Sequence, residues 1–447
     1  MAASLKSPDW RERHLSRSFR RSAGTEKMSD DSMPLQELPC GGLQSHAPCQ
    51  SRRLHKRKTR GHLSEGLDTE CTPTELIQQW SPPHKHQRLT CKDKENDQHL
   101  FVLARRPRRR RDSRAGISWD HLPDELLLRI YFYLPLQDLL RVSLVCKRWH
   151  RLVFDESLWQ SVDLQGLTNM GPALQQVLRT GVRRLRCPRA FVEELHLTGT
   201  EPLQLVEMDL SSSIIPVSAL ESIVCRCLRL ERLSLEGLQL SDDIVRSLGK
   251  NVGLQQLNLS GCSGFSASVL ADMLKSCCRI EQLNVSWCGF DKDHVKSVVS
   301  NVSPRVNSLN ISGYRESLTL DDVEILVNRC PEVQHLDLSD STLLMADSFL
   351  VLKQLKNLQH LSLSRCYHIH LAALTDLGQT LPSLRLLDVF GLVQDNQLPP
   401  LKKEMPRISI NSMPFSNVAR PTPASRLPGC HGDRSMWNRK CRLSVQL

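Results

Sequence analysis

The order of hydrophobic and polar positions divides the chain into stretches of different character before any motif is consulted. From residue 160 onward, apolar–polar–apolar triplets recur: Met208-Asp209-Leu210, Leu233-Ser234-Leu235, Leu257-Asn258-Leu259, Leu283-Asn284-Val285, Leu309-Asn310-Ile311, Leu336-Asp337-Leu338, Leu361-Ser362-Leu363 and Leu387-Asp388-Val389. Successive triplets lie 24 to 27 residues apart, with weaker echoes at Val162-Asp163-Leu164, Leu185-Arg186-Cys187 and Ile408-Ser409-Ile410. Such alternation predicts short strands with both apolar residues on one side. A helical period follows each strand, as over Ala267–Leu274 or Asp322–Val327, often ending at a cysteine (Cys225, Cys277, Cys330). One unit cannot bury its apolar face alone, so the units are expected to stack into a curved solenoid.

Ahead of the repeats, residues 117–164 carry a helical period instead. Pro123 opens a first helix with Asp124 and Glu125 in its first turn, a placement that suits the helix dipole. Leu126, Leu127 and Ile130 recur at helical spacing, and Pro135 ends that helix. A second helix begins over Leu136–Val145, and a third runs through Arg148, Trp149 and Leu152 towards Trp159. Three helices this short cannot bury all their leucines by themselves. Each one covered by a partner would contribute roughly 1.5–3 kcal/mol. A compact cap over the first repeat is the competing reading, and it would leave Pro123 and Leu126 buried within the chain.

Residues 1–114 keep neither period and are rich in Ser, Pro, Arg and His, a composition that predicts disorder. They also hold the charge. The net charge is +11, of which residues 1–114 carry +10, residues 412–447 carry +5 and residues 115–411 carry −4. The basic balance therefore belongs to the tails and says little about partners of the folded part. Two basic runs, Arg52–Arg60 and Arg105-Arg106-Pro107-Arg108-Arg109-Arg110-Arg111, suit nuclear import. No aromatic residues are interleaved with them, which weakens nucleic-acid binding. Ser81-Pro82-Pro83 has the form of a proline-directed phosphosite, Lys94-Glu95-Asn96 that of a degron, and Arg52-Arg53-Leu54 that of a cyclin-docking motif. The N-terminal residues lack an apolar signal core, Asp9 and Glu12 count against a mitochondrial presequence, and no run approaches the roughly 18 apolar residues of a membrane span. The expected location is nuclear, with a cytoplasmic share.

Sixteen cysteines form no CxxC pair and no metal-ligand spacing, so neither a metal site nor a disulfide framework is expected. No nucleophile constellation or phosphate loop is present either, so no catalytic residue and no cofactor are assigned. Cys262, Cys288 and Cys366 each fall three residues past a triplet, where a small buried hydrophobe fits. One column, two residues past each triplet, reads Ser212, Gly237, Gly261, Trp287, Gly313, Asp340, Arg365, Gly391. Its large members, with Tyr314, Arg315 and Tyr367 nearby, have the character of binding hot spots. Their placement favours the C-terminal half of the arc.

The repeats, with cysteine at the Asn/Cys position, resemble cysteine-containing leucine-rich repeats, and Leu122-Pro123-Glu125, Leu134, Val145-Cys146-Lys147-Trp149 and Leu158-Trp159 resemble an F-box. Together they resemble the F-box/leucine-rich-repeat substrate receptors of SCF ubiquitin ligases. The expected fold class is α/β, a curved leucine-rich-repeat solenoid over 161–411 behind a small all-α F-box over 115–160. A disordered basic tail (1–114) precedes them, and a C-terminal tail (412–447) follows and packs back on the concave face.

The resemblance implies further that Leu122, Pro123, Glu125, Leu126, Ile130, Leu134, Trp149 and Trp159 bind an acidic adaptor of the S-phase kinase-associated protein 1 type, and through it a cullin–RING core. It implies that Trp287, Arg315, Asp340, Arg365 and Tyr367 face a cyclin-kinase-subunit accessory protein and a phosphorylated cyclin-dependent kinase inhibitor, with a cyclin–kinase complex as a further candidate partner. The chain itself would be non-catalytic, and a repeat scaffold or inhibitor clamp is the alternative.

Overall fold

The computed structural model describes residues 119–444, apart from 168–169, 198, 413–414 and 421–440. The basic runs, Ser81 and Lys94-Glu95-Asn96 lie outside the described residues.

Three helices lead: α1 (Asp124–Tyr131), α2 (Leu136–Ser143) and α3 (Lys147–Val153). Pro123 and Pro135 stand at the N-caps of α1 and α2, positions where a residue without a backbone N–H removes no helix bond. Cys146 caps α3 by accepting the Trp149 amide at 3.4 Å. Asp124 ties α1 to α3, with Arg148 at 2.6 Å and Arg151 at 2.8 Å. The Arg148 hydrogen bond is the main reason its carboxyl titrates below the usual range.

Among the described residues a 12-stranded parallel sheet follows. Strands β1 (Ser161–Asp163) to β11 (Ser409–Ile410) lie in chain order, each two or three residues long. Each of the two inner strands that carry Leu257 and Leu309 spans one residue before its triplet to the triplet's middle, as in Gln256–Asn258 and Ser308–Asn310. The register stacks equivalent apolar residues: Leu257 pairs with Leu283, Leu283 with Leu309 and Leu309 with Leu336. Helices return the chain from strand to strand except between Arg184–Arg186 and Glu207–Asp209, where the described residues form no helix and the expected helical period is not realised. Leu320–Arg329 shows why they form: Thr319 and Asp322 make a reciprocal capping box, and Val323, Leu326 and Val327 turn inward. Helices need about 10 Å of width and strands about 4.8 Å, so the strand side is the inner, concave one.

The core is one continuous apolar column running from Leu127 of α1 to Ile410 of β11. Cysteine belongs to it. Cys262, Cys288 and Cys366 are buried and donate to the carbonyls of Leu235, Leu259 and Leu338, in the preceding repeat, at 3.1–3.4 Å. Burial pushes the thiols of Cys288 and Cys366 up to about 12, so they remain protonated and unreactive near neutrality.

The sequence pattern did not foretell β12 (Leu443–Ser444). It pairs in parallel with β1, through Val162–Leu443 and Asp163–Ser444, and so covers the first edge of the solenoid.

Candidate docking surfaces

The amphipathic period of α1 continues into the turn behind it. Leu127 and Tyr131 face the core, whereas Leu126, Ile130 and Tyr133 lie at i, i+4 and i+7 on the opposite side. Leu126 is 46% exposed, Tyr133 78%, and Phe132 beside it about half. Leu144 and Val145, at the end of α2, are also exposed. Trp119 is exposed as well and packs edge-on against half-buried Trp149 at 6.0 Å. Pro123 and Glu125 are exposed, and Leu122 and Leu134 are half-buried. Pro123 and Leu126 are thus open to solvent, not closed inside a cap.

Trp159 corrects an expectation. It is 1% exposed, stacks on Phe154 at 5.7 Å and donates its indole N–H to the Val153 carbonyl at 2.7 Å. It holds the helices to the first repeat and offers nothing to a partner. Phe132, Tyr133 and Leu144 were missed: the first two lie in the turn just past the end of α1, and Leu144 follows the end of α2, where the helical period gives no face. Val145 was named only within the motif resemblance.

On the strand side, the polar middle residue of each triplet points away from the core. Asn284, Asn310 and Asp337 accept the backbone N–H two residues on, at 2.9–3.1 Å, making a repeated Asx turn that lifts the chain out of the strand. Ser286, Ser312 and Ser339 fill the next position. This polar ladder was legible in the alternation, which puts the middle residue opposite the leucines.

The turn explains the glycine-rich column. All ten of its residues, Gly166, Arg189, Ser212, Gly237, Gly261, Trp287, Gly313, Asp340, Arg365 and Gly391, have positive φ between 55° and 98°. Glycine is the default there because it has no Cβ to clash. The four non-glycine residues from 212 onward hold a strained backbone of order 1–2 kcal/mol each. The large members also need glycine next door. A Cβ on Gly313 would stand 2.8 Å from the Trp287 ring, and one on Gly391 would stand 3.1 Å from Cγ of Arg365. Trp287, 49% exposed, thus lies on Gly313, and the Arg365 guanidinium stands 5.9 Å from its ring.

Asp340 and Tyr314 correct two further expectations. Asp340 is buried, and both its oxygens accept from Arg365 Nε at 2.9 Å. That bond, first among the causes, raises the Arg365 pKa; Asp340 aims the arginine and presents no free carboxylate. Tyr314 is buried, stacks on Phe290 at 5.5 Å and donates to the Val285 carbonyl. Arg315 and Tyr367 are exposed.

A groove of about 280 Å³ runs beside this column, with Trp287, Asp337, Arg365, Asp388, Phe415 and Arg420 among its walls. Its last two walls come from the C-terminal segment. Asn310 donates to Ser416 and to the Val418 carbonyl at 3.5 Å, the Ala419 amide donates to Ser308 at 3.1 Å, and Arg420 pairs with Glu236. Residues 415–420 therefore cross the concave face backwards against chain order. Among the described residues no group of three or more His, Cys, Asp or Glu side chains is placed to hold a metal.

Residues 172–444 match a family model described as the SKP2 LRR domain, and residues 119–165 match one described as F-box-like. The chain is 26% identical over 234 residues to the putative F-box/LRR-repeat protein 23 of Arabidopsis thaliana, covering 49% of this chain and 47% of that one. It is 34% identical over 141 residues to F-box/LRR-repeat protein 12 of Homo sapiens, covering 32% and 39%. The F-box protein SKIP19 of Arabidopsis thaliana is 25% identical over 258 residues, covering 57% and 71%. The match spans about half or less of the length of the first two. With an F-box-like segment of three helices and an SKP2-type match over more than half its length, the chain belongs to the F-box/leucine-rich-repeat proteins.

Proposed function

We propose that this protein is the substrate-recognition subunit of an SCF (adaptor–cullin–F-box) ubiquitin ligase. The observation that carries the reading is the exposed apolar row of Leu126, Ile130 and Tyr133 on the F-box, with Phe132, Leu144 and Val145 beside it. Exposed apolar residues gathered on one small element mark an interaction site. An adaptor of the S-phase kinase-associated protein 1 type would cover them and bring the cullin–RING core.

The concave groove then takes the other end of the assembly. Within it Trp287 supplies an aromatic anchor and Arg365 a planar donor that suits carboxylates and phosphates, while Tyr367 and Arg315 are exposed outside its lining and add one of each kind. The expected occupants are a cyclin-kinase-subunit accessory protein and a phosphorylated inhibitor of cyclin-dependent kinases. The protein forms no bond itself; it raises the effective concentration of substrate at the conjugating enzyme. The basic runs at Arg52–Arg60 and Arg105–Arg111 would direct it to the nucleus.

Co-purification of the full chain with a purified adaptor tests the reading, beside a chain carrying Leu126→Asp and Ile130→Asp. A stoichiometric complex lost in the variant is the expected result. A folded, monodisperse wild-type chain that captures no adaptor would overturn it and leave a binding scaffold.

A further inference from the structure

The C-terminal strand reaches the F-box as well as the sheet. Arg442, next to the buried Leu443 of β12, projects over the end of α1. Its Nη2 donates to the Tyr131 carbonyl at 2.9 Å, its Nε to the Phe132 carbonyl at 3.2 Å, and its Nη1 to the Leu158 carbonyl. The guanidinium also stands 4.5 Å from the Phe132 ring. Among the described residues no carboxylate pairs with it.

These acceptors have a common property. Tyr131 and Phe132 end α1, and Leu158 ends the short 3-10 turn over Glu156–Leu158. Carbonyls at helix ends lack intrahelical partners and carry the negative end of the helix dipole, so a cation there is favourable on both counts. A rigid fork of donors is needed to reach three carbonyls on two segments, which is arginine geometry and not lysine geometry. The placement matters because Phe132 and Tyr133 belong to the exposed apolar surface, while Leu443 and Ser444 are locked into the solenoid sheet. One side chain thus joins the last strand of the chain to the outer helix of the F-box.

We propose that Arg442 is a positioning residue: a clasp by which the C-terminal strand fixes the orientation of α1 and the 3-10 turn, and with them the adaptor-docking face, against the first repeat. For its effect on the adaptor it rests on the function proposed above; the clasp itself does not. Residues 441–444 are then a working part of the F-box surface, although the chain places them some 300 positions away. Loss of the clasp loosens the docking face without unfolding the repeats.

The test uses the full chain with Arg442→Ala and Arg442→Lys, read by amide hydrogen exchange and by adaptor affinity. For Arg442→Ala, amides over residues 126–134 and 156–160 are expected to exchange about tenfold to a hundredfold faster, while those over residues 256–340 stay at wild-type rates. Adaptor binding is expected to weaken by about fivefold to tenfold, with Arg442→Lys recovering only part of both effects. Unchanged exchange in the F-box would overturn the clasp, and so would faster exchange spread evenly into the repeats, which would mark a general stabiliser. Faster F-box exchange with unaltered adaptor affinity would overturn its positioning role. A wild-type chain that binds no adaptor would sink the ligase reading instead, and the exchange pattern alone would then decide the clasp.

Discussion

The three F-box helices and the repeats are built from the same leucines, yet they use them in opposite ways. In the solenoid each apolar residue finds its equivalent in the next repeat, and Leu233, Leu257, Leu283 and Leu309 are all buried to the last few per cent. The F-box has a neighbour on one side only. Its inward residues, Leu127, Tyr131 and Leu139, join the same core, and its outward ones, Leu126, Ile130 and Tyr133, lie outside that core and stay exposed. Stacking makes a repeat array self-sufficient except at its ends. The first end is where this chain places a helical segment whose second face stays exposed.

The contrast can be broken at single leucines. Leu283→Ala removes a fully buried side chain from the middle of the array and is expected to cost about 2–5 kcal/mol in denaturant unfolding. Leu126→Ala removes the same atoms from an exposed site, so it should change stability by less than about 1 kcal/mol. Its cost should appear in adaptor affinity, at about tenfold, by calorimetric titration. Equal stability losses at the two positions would mean that the F-box face is buried after all.

Next in size is Gly313→Ala. The added Cβ meets the Trp287 ring at 2.8 Å on a residue with φ of +94°, so about 1–3 kcal/mol of stability should be lost. Ser212→Gly, at the same turn position with φ of 55°, should be neutral or slightly stabilising. That pair separates the ridge that carries large side chains from turns that merely tolerate one.

The smallest effect concerns pH. Burial, more than any other cause, raises the Asp337 carboxyl above its usual range, against hydrogen bonds from Ser416 and Ser339. A carboxyl whose folded pKa exceeds its unfolded one binds protons more tightly when folded. It therefore opposes folding at neutral pH, and that penalty fades as the pH falls through the folded pKa towards the ordinary carboxylate value. Asn258, Asn284 and Asn310 make the same turn without the charge. Asp337→Asn is expected to raise the melting temperature near neutrality, with the gain shrinking in acid. A gain independent of pH would assign the effect to packing.

Much of this molecule was legible from period alone. Triplets 24 to 27 residues apart dictate the stack, and the prolines at 123 and 135 mark where two F-box helices begin. The docking residues were harder to read. Trp159 was expected at the adaptor surface from the motif resemblance and Asp340 at the binding face from its column, and only the fold shows one closed inside a helix junction and the other held by Arg365. The glycine column was visible as a column, but its reason, a left-handed turn in every repeat, belongs to backbone geometry. Least legible was the C-terminal strand. Leu443-Ser444 is too short to show a period, and its partner in β1 lies at Val162-Asp163, across the whole array.

The most direct test of the account is reconstituted ubiquitin transfer. The full chain would be combined with adaptor, cullin–RING core, conjugating enzyme and accessory protein, and ubiquitin chains on a phosphorylated cyclin-dependent kinase inhibitor would be measured. The account predicts transfer that requires the chain, disappears with Leu126→Asp/Ile130→Asp through loss of the adaptor, and disappears with Arg365→Ala while the adaptor stays bound. Transfer that proceeds as well without the chain, or that survives both sets of substitutions, would contradict it.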